Sequence, residues 1–197
     1  MNANVGMLNP VAALCSYTPG SAPTYSSGTK VAEAISASLA WNRSDSHFYG
    51  DDMELDSENG VLGYTLTFEP SGLKDDIRAL ILGENVSSSE YTITEDASPD
   101  VGFGYVRVMR TSGTSGVSTT YEGWWFYKLK FSLTTEEART KEDSIEWRTP
   151  TLTGAGAGVQ QTTGGKLEFA VHKSFDTKAA AIAYINGKAG ITSTSTT

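Results

Sequence analysis

The chain has 197 residues, 39% hydrophobic and 19% charged, enough to bury the core of one domain and too apolar for an intrinsically disordered chain. Fifteen Lys and Arg against 23 Asp and Glu give a formal net charge of −8 and a pI near 4.7, which excludes gripping a phosphate backbone, a task for clustered cations. The single cysteine, Cys15, excludes both an intramolecular disulfide and a cysteine-based zinc site, and reads as a small buried side chain.

In chain order, "MNANVGMLNPVAAL" lacks the basic segment and long apolar run of a secretory signal. No stretch approaches the roughly 20 apolar residues of a membrane span, so the expectation is a soluble protein made in the cytoplasm, with no membrane association. Val31 to Trp41 places Val31, Ile35, Leu39 and Trp41 in phase for a strand, with a helix as the alternative for the Ala-rich "VAEAISASLA". From Asp45 to Glu58 there are six acids and no Lys or Arg, which leaves −8 + 6 = −2 for the rest of the chain. Within it, "NRSDSHFYGDD" has no periodicity, whereas Asp52, Glu54, Asp56 and Glu58 recur at every second position.

From Val61 to Glu69, Leu62, Tyr64, Leu66 and Phe68 alternate with polar residues, the pattern of a half-buried strand. Ser71 to Leu82 predicts a short helix with Ser71 as cap and Gly83 as stop. "RTSGTSGVSTT", Arg110 to Thr120, predicts a hairpin loop between two strands. Tyr121 to Leu133 puts Tyr121, Trp125, Tyr127, Leu129, Phe131 and Leu133 on one face and Trp124, Phe126, Lys128 and Lys130 on the other. At about 3.3 Å per residue it is too long for an ordinary strand, and a bend or a crossing between two sheets is expected. "TGAGAGVQQTTGG", Thr153 to Gly165, reads as a further loop. Lys166 to Phe175 is a strand with Leu167, Phe169 and Val171 on one face; Asp176 to Asn186 is a helix stopped by Gly187; residues 191–197 are a flexible tail.

The sum predicts a mainly β fold: a β-sandwich or partly closed barrel of antiparallel strands with one or two short α-helices packed on it. It occupies residues 1–190 as one domain, with a long acidic loop or arm near 42–60. Nothing supports catalysis or a cofactor. Counted from Asp52, an EF-hand would need glycine at Ser57 and glutamate at Gly63, so a calcium loop fails. Acids alternating on one strand share one environment, whereas a glycosidase pair needs two. Two histidines, His47 and His172, accompany no G-x-S-x-G, and "GAGAG" and "GGKL" lack phosphate-loop spacing. The rings of Tyr121, Trp124, Trp125, Phe126 and Tyr127 suit either sugar stacking or core plus interface; aromatics on both faces of one strand favour the second.

"FYGDDMELDSENG", "DVGFGYVRV", "GWWFYKLKFS", "SIEWRTPTL" and "FDTKAAAIAYIN", in this order from about Gly6 to Asn186, resemble the phi-13-like family of major tail proteins of long-tailed bacteriophages. The resemblance implies a non-enzymatic tail tube subunit, a β-sandwich flanked by a helix. Such subunits form hexameric rings stacked into a hollow tube through which DNA passes without specific binding, with strands joined edge to edge around the bore and an arm reaching the adjacent ring. It also implies tape measure and tail terminator or distal tail proteins as partners, and a place in the virion tail after assembly in the bacterial host cytoplasm.

On that view Asp51, Asp52, Glu54, Asp56 and Glu58 form an acidic lumen or inter-ring face. Asp45 to Asp52 read as the arm, meeting Lys128 and Lys130 or Arg139 and Lys141, and Glu54 to Glu69 as the lumen-side sheet, repelling phosphates. Trp124, Phe126, Lys128 and Lys130 are the expected subunit interface. The alternative is a carbohydrate-binding β-sandwich, a tail or surface adhesin, resting on the aromatic cluster.

Overall fold

The computed structural model describes residues 2–44, 46–50, 53–88, 90–113, 116–137 and 149–191. In chain order the elements begin β1 (Asn2–Ser16), β2 (Thr24–Lys30), β3 (Ala34–Arg43), β4 (Ser46–Gly50), β5 (Met53–Glu58), β6 (Val61–Pro70), α1 (Asp75–Leu82), β7 (Asn85–Ser87) and β8 (Glu90–Thr92). The second half holds β9 (Val101–Gly113), β10 (Gly116–Thr135), β11 (Thr151–Gly156), β12 (Val159–Gln160), β13 (Leu167–Glu168), β14 (Ala170–Phe175) and α2 (Lys178–Lys188). Eight strands form one antiparallel sheet in the order β2-β1-β9-β10-β11-β6-β3, with β14 also paired to β10. The sheet folds over until β3 touches β1 without closing, giving the mainly β, sandwich-like architecture predicted.

Two cores result. Inside the fold lie Tyr64, Leu66, Phe68, Phe103, Phe126, Leu129, Phe131 and Leu152, with Ile77 and Ile81 of α1. On the opposite face of the β1-β9-β10 region, Val106, Trp125, Tyr127 and Val159 pack under Ala181, Ile185 and Ala189 at and beyond α2. Gly102 and Gly104 leave room there for the Trp125 indole, which a Cβ at either position would meet at 2.6 Å.

The long strand β10 serves both cores because it is broken in register. Its ladder with β9 runs from Gly116↔Gly113 to Leu129↔Val101 and slips between Phe126 and Leu129. On its other edge β14 pairs with Tyr121 to Phe126, and β11 takes over from Leu129 to Thr135. Trp125 and Tyr127 therefore enter the core under α2, and Leu129 and Phe131 enter the inner one, so the odd-numbered residues do not share one face as their spacing predicted. The expected crossing between two sheets does not occur, since β9, β10, β11 and β14 belong to one sheet; β10 changes strand partner within it, at Tyr127 and Lys128. The Tyr25 hydroxyl donates to the Tyr127 carbonyl at 2.9 Å and the Tyr64 hydroxyl to the Lys128 carbonyl at 3.1 Å. Burial pushes both phenols above the ordinary tyrosine range, which keeps them as donors.

The Gly-rich stretch expected as a loop contains an inner strand, β11, paired on both edges. Its glycines are apolar seats: a Cβ on Gly154 would stand 2.9 Å from the Phe131 ring, and one on Gly156 2.0 Å from the Tyr64 ring. The Arg110–Thr120 segment is likewise strand up to Gly113 and again from Gly116. The expected strand from Lys166 divides into β13 and β14, because Phe169 turns into the inner core against Trp41 and Tyr64 while Val171 faces the other and Leu167 stays exposed.

β3 is a strand rather than a helix, but a register shift between Ala34 and Ser36 turns Ile35 outward, out of phase with Leu39. Leu62 is exposed, in phase with Tyr64 but beside a second register shift of the β3 and β6 pair. α1 starts later than predicted: the Ser71 amide is spent on the Glu33 carbonyl, Lys74 stands at the cap position, and Gly83 ends the helix in the left-handed conformation. α2 is capped by Thr177 and runs through Gly187 to Lys188.

Gly156→Ala should displace the Tyr64 ring and cost about 1–3 kcal/mol. Urea unfolding is expected to show a lower midpoint at an unchanged slope; an unchanged midpoint would mean the ring is not seated there.

Candidate functional site

The acidic stretch is built as a hairpin. β3 and β6 pair from Ala34↔Pro70 to Arg43↔Val61, and β4 and β5 continue the same antiparallel path from Ser46↔Glu58 to Gly50↔Met53. Ser44 and Gly60 bridge the two parts, with the Ser44 amide donating to the Gly60 carbonyl at 2.8 Å and the Gly60 amide to Ser44 Oγ at 3.1 Å. β4 and β5 pair with each other and do not join the eight-stranded sheet. Glu54, Asp56 and Glu58 stand at register positions opposite Tyr49, Phe48 and Ser46. Their backbone thus belongs to the arm, whereas the sequence pattern assigned them to the sheet of Val61 to Glu69. Asp51, Asp52, Arg139 and Lys141 lie outside the described residues.

A second acidic stretch went unnoticed in the sequence. Glu84, Glu90, Glu95, Asp96 and Asp100 occur without Lys or Arg between them, so the −2 outside residues 45–58 is −5 here and +3 elsewhere. It contains the β7 and β8 hairpin, with Val86, Tyr91 and Ile93 exposed. Three of these acids are engaged: Glu84 with Arg78 at 3.0 Å, Asp100 with Lys128 at 3.2 Å, and Asp96 with the Thr94 hydroxyl, which donates to it at 2.8 Å.

The expected aromatic and basic interface divides. Phe126 is wholly buried in the chain's own core and does not face a neighbour, because the folded-over sheet covers it. Lys128 is held by Asp100 and lies over the Tyr17 ring. Trp124 is half-buried, with His172 of β14 stacked on it at 4.4 Å and Arg107 of β9 at 4.9 Å, while its indole N–H donates to Glu122 Oε2 at 3.2 Å. Flanked from both neighbouring strands, the Trp124 ring is no free platform for a sugar. Lys130 stands exposed on a different surface.

That surface is the outer face of the four strands β10, β11, β6 and β3. With Leu129, Phe131, Leu152, Leu66, Phe68 and Leu39 turned inward, the alternate positions look out. The register lines up Ser38, Thr67, Thr153 and Ser132 in one row across all four strands. The flanking rows are Ala40, Thr65, Ala155 and Lys130, and then Ser36 with Glu69; beyond Leu133 a register shift pairs Thr151 with Thr135 and leaves Thr134 at the shift. Thr134 and Thr153 share a hydrogen bond of 2.7 Å, Ser132 donates to the Thr153 carbonyl at 3.2 Å, and Ser36 and Thr149 both donate to Glu69, at 3.1 and 2.6 Å.

Both margins of these four strands lack a strand partner among the described residues: β3 pairs only with β6, and β10 loses β9 after Leu129. Edge strands usually carry Lys, Pro or a charge to block association. β3 has no charged residue and no proline from Ala34 to Asn42.

Among the described residues, no three His, Cys, Asp or Glu side chains gather to hold a metal, and no helix is long and apolar enough to cross a membrane. A cavity of about 550 Å³ lies between Lys30–Glu33 and the Ser71–Lys74 entry to α1 and holds no catalytic constellation. No family model matches the chain, and no curated protein matches it.

Burial, reinforced by the Asp100 carboxylate, pushes the Cys15 thiol up to about 11. Since the thiolate is the reactive form, alkylation of the folded protein at pH 8 should run on the order of 100-fold slower than that of a free thiol. Reaction at the free-thiol rate would show that Cys15 is solvent-facing.

Proposed function

We propose that this chain is a tail tube subunit, a structural virion protein of a long-tailed bacteriophage or prophage that self-assembles into stacked hexameric rings. The observation that carries the reading is the four-stranded sheet of β10, β11, β6 and β3, open at both margins, with an uncharged edge strand and a smooth outer face. Because four is an even number, β3 of one copy meets β10 of the next antiparallel when copies are related by rotation, so the ladder continues around a ring.

With six copies, the number the resemblance implies, about 24 strands at about 4.8 Å spacing and a tilt of about 40° enclose a wall roughly 150 Å around and 48 Å across. Short Ser and Thr side chains leave most of that width open, more than a DNA duplex needs. The hairpin of β4 and β5 projects past the strand ends and suits the inter-ring arm. α2 packs on β10, β9, β14 and β1, on the side of the sheet opposite the inner core. Tape measure and terminator proteins would be its tail partners. The sugar-binding alternative has no supporting platform once Trp124 is flanked by His172 and Arg107.

Electron microscopy of the purified protein is the direct test: rings or tubes are expected, and monodisperse monomers that bind glycans would replace this reading with the adhesin. The arm is tested by charge reversal. Glu54→Lys with Asp56→Lys and Glu58→Lys should leave the monomer folded by circular dichroism and abolish stacking into tubes. Normal tubes from that variant would free the hairpin of an inter-ring role.

A further inference from the structure

Resting on the tube reading, we infer that the hydroxyl face of β10, β11, β6 and β3 is the surface a passing nucleic-acid duplex meets. The duplex slides over it because the face offers phosphates no net charge. The acids that dominate the sequence are carried elsewhere, on the β4 and β5 hairpin beyond the strand ends and in the stretch from Glu84 to Asp100. Charge more than about 8 Å away is largely screened at physiological salt, so the nearby chemistry decides whether DNA sticks.

That nearby chemistry is neutral. Across the three rows the single acid, Glu69, and the single base, Lys130, cancel. One cation per copy is far short of the clustered Lys and Arg that displace counterions from a duplex. Part of the donor capacity is turned onto the protein itself: Ser36 and Thr149 donate to Glu69, Thr134 and Thr153 share one hydrogen bond, and Ser132 donates to a backbone carbonyl. No ring stands in the rows to stack on a base, the other means by which proteins hold nucleic acid without sequence preference. The face keeps a layer of water and makes no lasting bond, a property that needs no excess of negative charge.

Two measurements test this on assembled tubes. In the first, Thr67→Lys with Thr153→Lys tubes and unmodified tubes are mixed with short end-labelled duplex DNA and sedimented at low and high salt. Unmodified tubes should carry down no DNA, whereas the lysine tubes should carry at least tenfold more at low salt and lose it at high salt. Equal retention by both would overturn the inference.

In the second, Thr153→Cys tubes are treated with a small maleimide and with a maleimide on a polymer too bulky for the bore. Labelling by the small reagent alone is expected, with Cys15 slow to react, and equal labelling by both would put the face outside. Should the double-lysine chain fail to assemble, the cysteine result alone decides. A chain that forms no tubes at all removes the tube reading itself and the lining with it, whereas intact tubes with either adverse result remove only the lining.

Discussion

Two phenols, the half-buried Tyr25 and the buried Tyr64, donate to consecutive carbonyls of β10, at Tyr127 and Lys128, and there one strand passes from one set of partners to another. The Lys128 carbonyl also accepts from the Ala157 amide at 3.1 Å, so the joint is held by three hydrogen bonds, each worth roughly 1 kcal/mol net. The change of register gives each half of β10 its own core. The N-terminal half is covered by α2, and the C-terminal half closes the inner core and presents Lys130, Ser132 and Thr134 outward. An unbroken β10 would carry Leu129 and Phe131 toward the α2 side and leave the hydroxyl rows facing the core.

Charge and chemistry are distributed on the same plan. The acids cluster on segments set off from the large sheet, Glu54, Asp56 and Glu58 on the β4 and β5 hairpin and five more between Glu84 and Asp100. The broad strand face is left to short hydroxyl side chains, and the edge strand beside it to alanine and serine. For a lone monomer that edge would be a liability, since an uncharged edge invites another strand; for a subunit of a ring it is the means of closure.

The legible part of this fold was what alternation records. Tyr64, Leu66 and Phe68 were identified as core, the length of β10 signalled an irregularity that proved to be a slip of register within one sheet, and both helices were found to within a few residues. What failed has one physical cause, that spacing does not show where a register slips. Ile35, Leu62 and the odd residues after Tyr127 were misassigned at or beside bulges. β11 was hidden for another reason: Gly154 and Gly156 signal a loop by composition, yet serve as seats for rings that come from β10 and β6. The hydroxyl rows draw on four strands distant in sequence, and each Ser or Thr alone is unremarkable; only the register assembles them. The five acids from Glu84 to Asp100 are separated by uncharged residues and form no run, so only a count of charge along the chain shows them.

The first strand is covered by the last helix. β1 pairs with β9, and Asn9 Nδ2 donates to Asn186 Oδ1 at 3.0 Å across the whole span of the chain. A nascent chain leaving the ribosome therefore cannot complete the core around Trp125 until α2 has emerged, and such long-range closure is slow. A chain lacking α2 would expose that core to proteases and chaperones.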